Sequence, residues 1–144
     1  MTSEPGDVVQ PSVEGAVRAM TMALQDAGMA AEEVGYINAH GTGTQVNDRC
    51  EAAAIARICQ RDTLVSSTKS LHGHLIGGAG AVELLACLLA LQHGVIAPTA
   101  GYQGADPDCD IALVTKTKTA AVAAVLSNSF AFGGLNAVLA LRAG

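Results

Sequence analysis

Val13, Ala16, Val17, Met20, Leu24 and Ala27 recur at three- and four-residue intervals, with Glu14, Arg18, Thr21 and Gln25 on the opposite side. This spacing predicts an amphipathic helix, with Ser12 as its N-cap and Gly28 closing it. Val34 to Ala39 then forms a short apolar run, expected to be a buried strand that delivers His40 into the turn-rich Gly41-Thr42-Gly43-Thr44. A second helix is expected to begin near Asp48, where Asp48 and Glu51 stand as a capping-box-like pair ahead of Ala52, Ala53, Ile55, Ala56, Ile58 and Cys59.

Leu64 to Thr68 reads as the next strand, and a glycine-rich turn leads into a helix over Ala81 to Leu91 that is apolar almost all round. Such a helix packs between layers, so it is expected to be central and buried. The stretch from Leu75 to Ala97 approaches membrane-spanning length, but Gly77, Gly78 and Gly80 open it, and Glu83 near its centre would be costly in lipid. A helix buried inside the protein is the reading adopted, with no membrane partner.

Strand candidates follow at Ile111 to Val114, Val122 to Asn128 and Asn136 to Arg142, the last two flanking the loop Ser129-Phe130-Ala131-Phe132-Gly133-Gly134. The order implies an α/β layered fold with a mixed sheet of about five strands covered by helices. A chain of 144 residues, half of them apolar, fits a single domain over 1–144, with residues 1–10 as an irregular tail.

A net charge of -5, no Trp, and two each of Tyr and Phe leave neither a basic footprint nor stacking platforms for nucleic acid. Cys50, Cys59, Cys87 and Cys109 show no paired spacing, so neither a zinc knuckle nor a disulfide framework is suggested, and a reducing, cytoplasmic compartment fits them. The first ten residues have no export-signal pattern. Lys116 and Lys118 fit a solvated turn better than a docking patch.

Chemistry concentrates at two strand ends. His40 sits where a strand meets a turn, a position from which an imidazole can donate to developing negative charge or simply be satisfied as a core histidine. Lys69, Ser70, His72, Gly73 and His74 occupy the second junction, with Glu83 just inside the following helix. His72 and His74 could pair on a metal with His40 or Glu83, although no second-shell pattern supports this. The glycines match no Walker or dinucleotide fingerprint. Both phenylalanines of the chain fall in the 129–134 loop, as a pocket gate or a hydrophobic plug.

Three motifs in order, Asn38-Ala39-His40-Gly41-Thr42-Gly43-Thr44, Ser67-Thr68-Lys69-Ser70 with Gly73-His74, and Asn128-Ser129-Phe130 with Phe132-Gly133-Gly134, resemble the C-terminal, thiolase-like half of the elongating beta-ketoacyl-[acyl carrier protein] synthases. The resemblance runs from about Gln10 to Arg142. It implies a decarboxylative Claisen condensation in fatty acid or polyketide biosynthesis. An acyl group on a cysteine is attacked by the carbanion released when malonyl-carrier protein loses carbon dioxide.

By that resemblance His40 and His74 are the catalytic histidines that hydrogen-bond the malonyl thioester carbonyl, Lys69 orders the site, and Glu83 is its buried partner. Phe132 is the gating phenylalanine whose backbone N–H contributes to the oxyanion hole. Phe130 and Ala131 belong to the same gate, and Thr42 and Thr44 contact the pantetheine arm. No cofactor or metal is implied; the expected partners are acyl carrier protein, a missing N-terminal half and a second copy in a homodimer. Ala131 replaces a glycine common in the family, His72 stands where threonine is frequent, and Leu135 replaces a usual threonine.

The family's nucleophilic cysteine belongs to that missing half. Cys87 lies in mid-helix without free N–H groups to activate it, and Cys50 lies beside Asp48 and Glu51, whose charges oppose a thiolate. The chain alone is therefore expected to be inactive. The alternative is a non-catalytic partner subunit resembling a chain-length factor.

Overall fold

The computed structural model describes residues 1–3 and 10–144. In chain order it contains α1 (Val13–Asp26), β1 (Val34–Asn38), α2 (Gln45–Ile58), β2 (Leu64–Ser66), α3 (Lys69–His72), α4 (Ala79–His93), β3 (Val95–Ile96), β4 (Ala112–Leu113), β5 (Lys118–Thr119), β6 (Ala124–Ala131) and β7 (Leu135–Arg142). Five strands form one mixed sheet in the order β4-β2-β1-β6-β7, and β3 pairs with β5 in a small antiparallel ribbon. The α/β class and the five-stranded mixed sheet are as the sequence predicts.

Within the main sheet β1 runs parallel to β2 and β6, and β2 runs parallel to β4, while β6 and β7 form an antiparallel hairpin. Parallel neighbours need a crossover, which α2 supplies between β1 and β2. Successive side chains alternate between the faces: Ile37 and Leu126 pack with Met20, Leu24 and Ile55 from α1 and α2, whereas Tyr36 and Val125 pack with Cys87 and Ala90 from α4. Covered on both faces, β1 and β6 read as nearly continuous apolar runs.

The first helix follows its sequence pattern closely. Ser12 Oγ accepts the Gly15 N–H at 3.1 Å, and Gly28 adopts a left-handed φ of 59° just past the end. The second differs: it starts at Gln45 rather than near Asp48, Thr44 occupies the N-cap position, and the Glu51 side chain turns away from its own helix start. Glu51 lies four residues before Ile55, on the same buried face, so it points at the sheet instead of capping.

Strand β6 extends through Ala131, pairing Ser129, Phe130 and Ala131 with Ala137, Asn136 and Leu135, so the hairpin turn is Phe132–Gly134 alone. The two-residue β3 and β5 were not expected, and Lys118 lies in β5 rather than in a turn. Helix α4 buries Ala79, Glu83, Cys87 and Ala90 but leaves Leu85 and Leu89 more than half exposed, so its central role is realised on one face only. Residues 76–93 are long and apolar enough to cross a membrane by composition, yet Glu83, Cys87 and Ala90 lie against the sheet.

Thr2 forms an antiparallel bridge with Asn136, donating to its carbonyl at 2.8 Å and accepting its N–H at 3.0 Å. Residues 4–9 of the expected irregular tail lie outside the described residues.

Candidate active site

The C-terminal ends of parallel β1 and β2 lie side by side, and the segments that leave them, 39–44 and 67–74, meet there. Ligands in open α/β sheets bind at such strand ends. Gly41 shows how close the segments come: a Cβ added there would lie 2.6 Å from Ser67 Cβ, and the Ser67 hydroxyl donates to the Gly41 carbonyl at 2.7 Å. Only glycine fits.

His40 is fixed through its backbone. Its N–H donates to Glu51 Oε1 and the Gly41 N–H to Glu51 Oε2, both at 2.9 Å, while Asn128 Nδ2 donates to Oε1 at 3.0 Å. Glu51 is 2% exposed, and burial pushes its carboxyl pKa up against the pull of these three donors. The strap thus joins α2, β6 and the loop after β1. Neither Glu51 nor Asn128 was predicted as a site residue, although Glu51 sits on the apolar face of its helix, where an unpaired carboxylate is costly.

The His40 ring is buried, with its centroid 5.6 Å from that of His74 in an edge-on arrangement and 5.8 Å from that of Phe130. Burial, with the nearby Lys69 and His74 adding to it, pushes the His40 pKa down to about 4, so this imidazole is neutral near pH 7. His74 Nδ1 accepts the Ile76 N–H at 3.1 Å, so the proton of a neutral His74 ring is on Nε2. The two imidazoles thus stand edge to face, the buried His40 ring neutral, in an arrangement from which ring N–H groups can donate hydrogen bonds.

Lys69 begins α3 and Glu83 lies one turn into α4, and Lys69 Nζ forms an ion pair with Glu83 Oε1 in which both side chains are almost fully buried. Asn38 Nδ2 donates to Thr68 Oγ1 at 3.0 Å and reaches the Glu83 carbonyl at 3.4 Å, tying the strand ends to α4. Beside them a cleft of about 890 Å³ is lined by Thr42, Lys69, Ser70, His74 and Tyr102 among others. The hydroxyl of Thr42 in its wall lies 2.9 Å from that of Thr44.

The predicted residues thus fall into two groups. His40, His74, Lys69, Glu83 and Phe130 converge, with Thr42 at the cleft wall. Phe132 does not join them: it is 75% exposed in the hairpin turn, and Ala131 beside it is exposed as well. Phe130, expected in the loop, is a strand residue buried against His40.

All four cysteine thiols are pushed upward, chiefly by burial, with Cys87 and Cys59 at about 11 and Cys50 raised further by Glu51. None is an activated thiolate. The metal arrangement considered from the sequence is not formed either. His72 turns both ring nitrogens to Gly73 and Thr68, and no group of three His, Cys, Asp or Glu side chains among the described residues could hold an ion.

Two histidines and a buried Lys–Glu pair therefore meet at the strand ends of a layered α/β sheet. The family model described as beta-ketoacyl synthase, C-terminal domain, matches residues 3–103, and the chain belongs to that family. It is 46% identical to nodulation protein E of Rhizobium sp. (strain N33) over 99% of this chain and 36% of that protein. It is 41% identical to 3-oxoacyl-[acyl-carrier-protein] synthase 1 of Escherichia coli (strain K12) over 98% of this chain and 34% of that one. The solved structure of the ishigamide ketosynthase/chain length factor superposes with a TM-score of 0.95 at 39% identity, over 99% of this chain and 36% of that one. The chain therefore spans about a third of the length of these relatives.

Proposed function

We propose that this chain is the histidine-bearing C-terminal half of a beta-ketoacyl-[acyl carrier protein] synthase, folding as one domain over residues 1–144 and working in the cytoplasm with an N-terminal half that carries the nucleophilic cysteine. The observation that carries the proposal is the edge-to-face His40–His74 pair beside the buried Lys69–Glu83 ion pair. A structural subunit has no need of these four groups together.

In the proposed reaction, His40 and His74 donate to the thioester carbonyl oxygen of malonyl-carrier protein. Breaking the bond to the carboxylate releases carbon dioxide and leaves the electron pair as an enolate, whose oxygen faces donors already in place. A single preorganised donor of this kind contributes about 2.7 to 4 kcal/mol elsewhere. The enolate carbon then attacks the acyl thioester on the partner half's cysteine, a C–C bond forms, and the cysteine leaves as thiolate. Lys69, held by Glu83, orders the pocket. Thr42 and Thr44 line the approach of the pantetheine arm, and Phe130, Ala131 and Phe132 form the gate, Phe132 closing once the partner half covers it.

Leu75, Ile76, Leu85, Leu89, Phe132 and Leu139 are large apolar side chains left open, and they support a further protein surface packing here. A homodimer of the assembled synthase and docking of an acidic carrier protein complete the proposal. The test is carbon dioxide release from malonyl-carrier protein by the chain mixed with its N-terminal half. His40→Ala and His74→Ala should each lower the rate on the order of a hundredfold. A tight complex with a complete synthase, with both histidines dispensable, would instead assign the chain as a chain-length-factor-like partner.

A further inference from the structure

Both ring nitrogens of His72 are engaged. Nδ1 lies 2.7 Å from the Gly73 carbonyl oxygen, and Nε2 lies 3.2 Å from Thr68 Oγ1. A carbonyl only accepts, so Nδ1 carries a proton, and in the tautomer with that single proton Nε2 accepts from the Thr68 hydroxyl. That hydroxyl in turn accepts from Asn38 Nδ2 at 3.0 Å, and the same amide reaches the Glu83 carbonyl. Asn38 Oδ1 is a second acceptor for the Thr68 hydroxyl at 3.4 Å, and with the His72 ring nearer at 3.2 Å the hydrogen bonds connect the end of β1, through the residue before Lys69, to the peptide that joins Gly73 to His74.

The turn at the end of this connection is a strained one. Gly73 has φ 78°, and Ile76, a β-branched residue, has φ 50°, making it the only non-glycine residue with positive φ among the described residues. Such a conformation costs about 1 to 3 kcal/mol and persists only where the surroundings dictate it. Here its product is the Ile76 N–H aimed at His74 Nδ1. On the other side of His74, the His72 ring holds the carbonyl of the preceding peptide.

We propose that His72 is a positioning residue for His74: by donating from Nδ1 to the Gly73 carbonyl it fixes the 73–74 peptide, and with it the ring that presents Nε2–H to the cleft. The catalytic consequence rests on the function proposed above, while the structural one does not. An asparagine at 72 places an amide N–H near the position of Nδ1, whereas a glutamine places its amide near Nε2. Asparagine therefore keeps the Gly73 contact and glutamine keeps the Thr68 contact.

The test labels histidine nitrogens and reads the His74 tautomer by long-range proton–nitrogen NMR in the full chain carrying His72→Asn or His72→Gln. His72→Asn should retain the single His74 tautomer with its proton on Nε2, and His72→Gln should show exchange between tautomers. In the reassembled synthase, His72→Gln should lower kcat for malonyl decarboxylation about tenfold with KM within about twofold, a misplacement effect, and His72→Asn should restore it. Identical His74 spectra in the two variants would overturn the proposal. If wild type with its partner half releases no carbon dioxide, the function proposed above fails while the NMR comparison still decides the role of His72.

Discussion

Glu51 Oε1 accepts the backbone N–H of His40 at 2.9 Å, so a carboxylate eleven positions along the chain sets where the imidazole begins. Because its two oxygens meet three donors, the Glu51 side chain cannot be replaced by its amide without turning an N–H toward an N–H. Glu51→Gln should lower unfolding free energy by about 1.5 to 3 kcal/mol, the range for a hydrogen bond to a charged group. Urea denaturation of the two proteins checks this, and an unchanged midpoint would remove Glu51 from the account.

His40 titrates lower in the folded chain than in the unfolded one, about 4 against an ordinary value of 6.5. Between those values the unfolded state binds the proton and the folded state does not, so stability is lost as pH falls from 6.5 toward 4 and is unaffected above that window. The loss is at most about 3 kcal/mol. Denaturation at pH 7 and pH 4.5, compared between wild type and His40→Asn, isolates this residue: the acid loss should shrink in the variant.

The ion pair of Lys69 and Glu83 is buried on both sides, so removing one partner strands a charge. Glu83→Leu should cost about 3 to 5 kcal/mol, and the double variant Lys69→Met/Glu83→Leu should be less destabilised than Glu83→Leu alone. A double-mutant cycle by chemical denaturation measures the difference. Additive losses would contradict a buried, coupled pair.

Ile76 is 79% exposed, so its side chain contributes little packing while its backbone is strained. Ile76→Gly should leave stability unchanged or raise it by about 1 kcal/mol, the relief of a left-handed conformation. A thermal melt that falls by several degrees would show that the turn is not strained.

How far the sequence could be read depended on how local each feature was. Ser12 and Gly28 bracket α1 by chemistry that acts within one turn of helix, and the structure places both where that chemistry puts them. The strand-end positions of His40 and Lys69 were legible for the same reason. Glu51 was misread as a cap because its partners, His40, Gly41 and Asn128, lie up to 77 positions away in the chain. Phe130 was misplaced in a loop because the register that draws it into β6 is set by the three-residue turn at Phe132–Gly134, not by any alternation of its own. The ribbon of β3 and β5 has two residues in each strand, too few for a period to show. Apolar residues around the whole of α4 predict burial on every side, whereas Leu85 and Leu89 lie more than half exposed, because the chain's own sheet covers one face of the helix only.

The most direct test of the central claim is intact-protein mass spectrometry after incubation with an acyl-carrier-protein thioester, and separately with cerulenin, which targets ketosynthase cysteines. The chain is measured alone and together with its N-terminal half. With every thiol of this chain raised by its surroundings, only the combined sample should be modified, with the added mass on the partner half's cysteine. Acylation of this chain alone, at Cys87 or Cys50, would contradict the account and make it a self-sufficient acyltransferase.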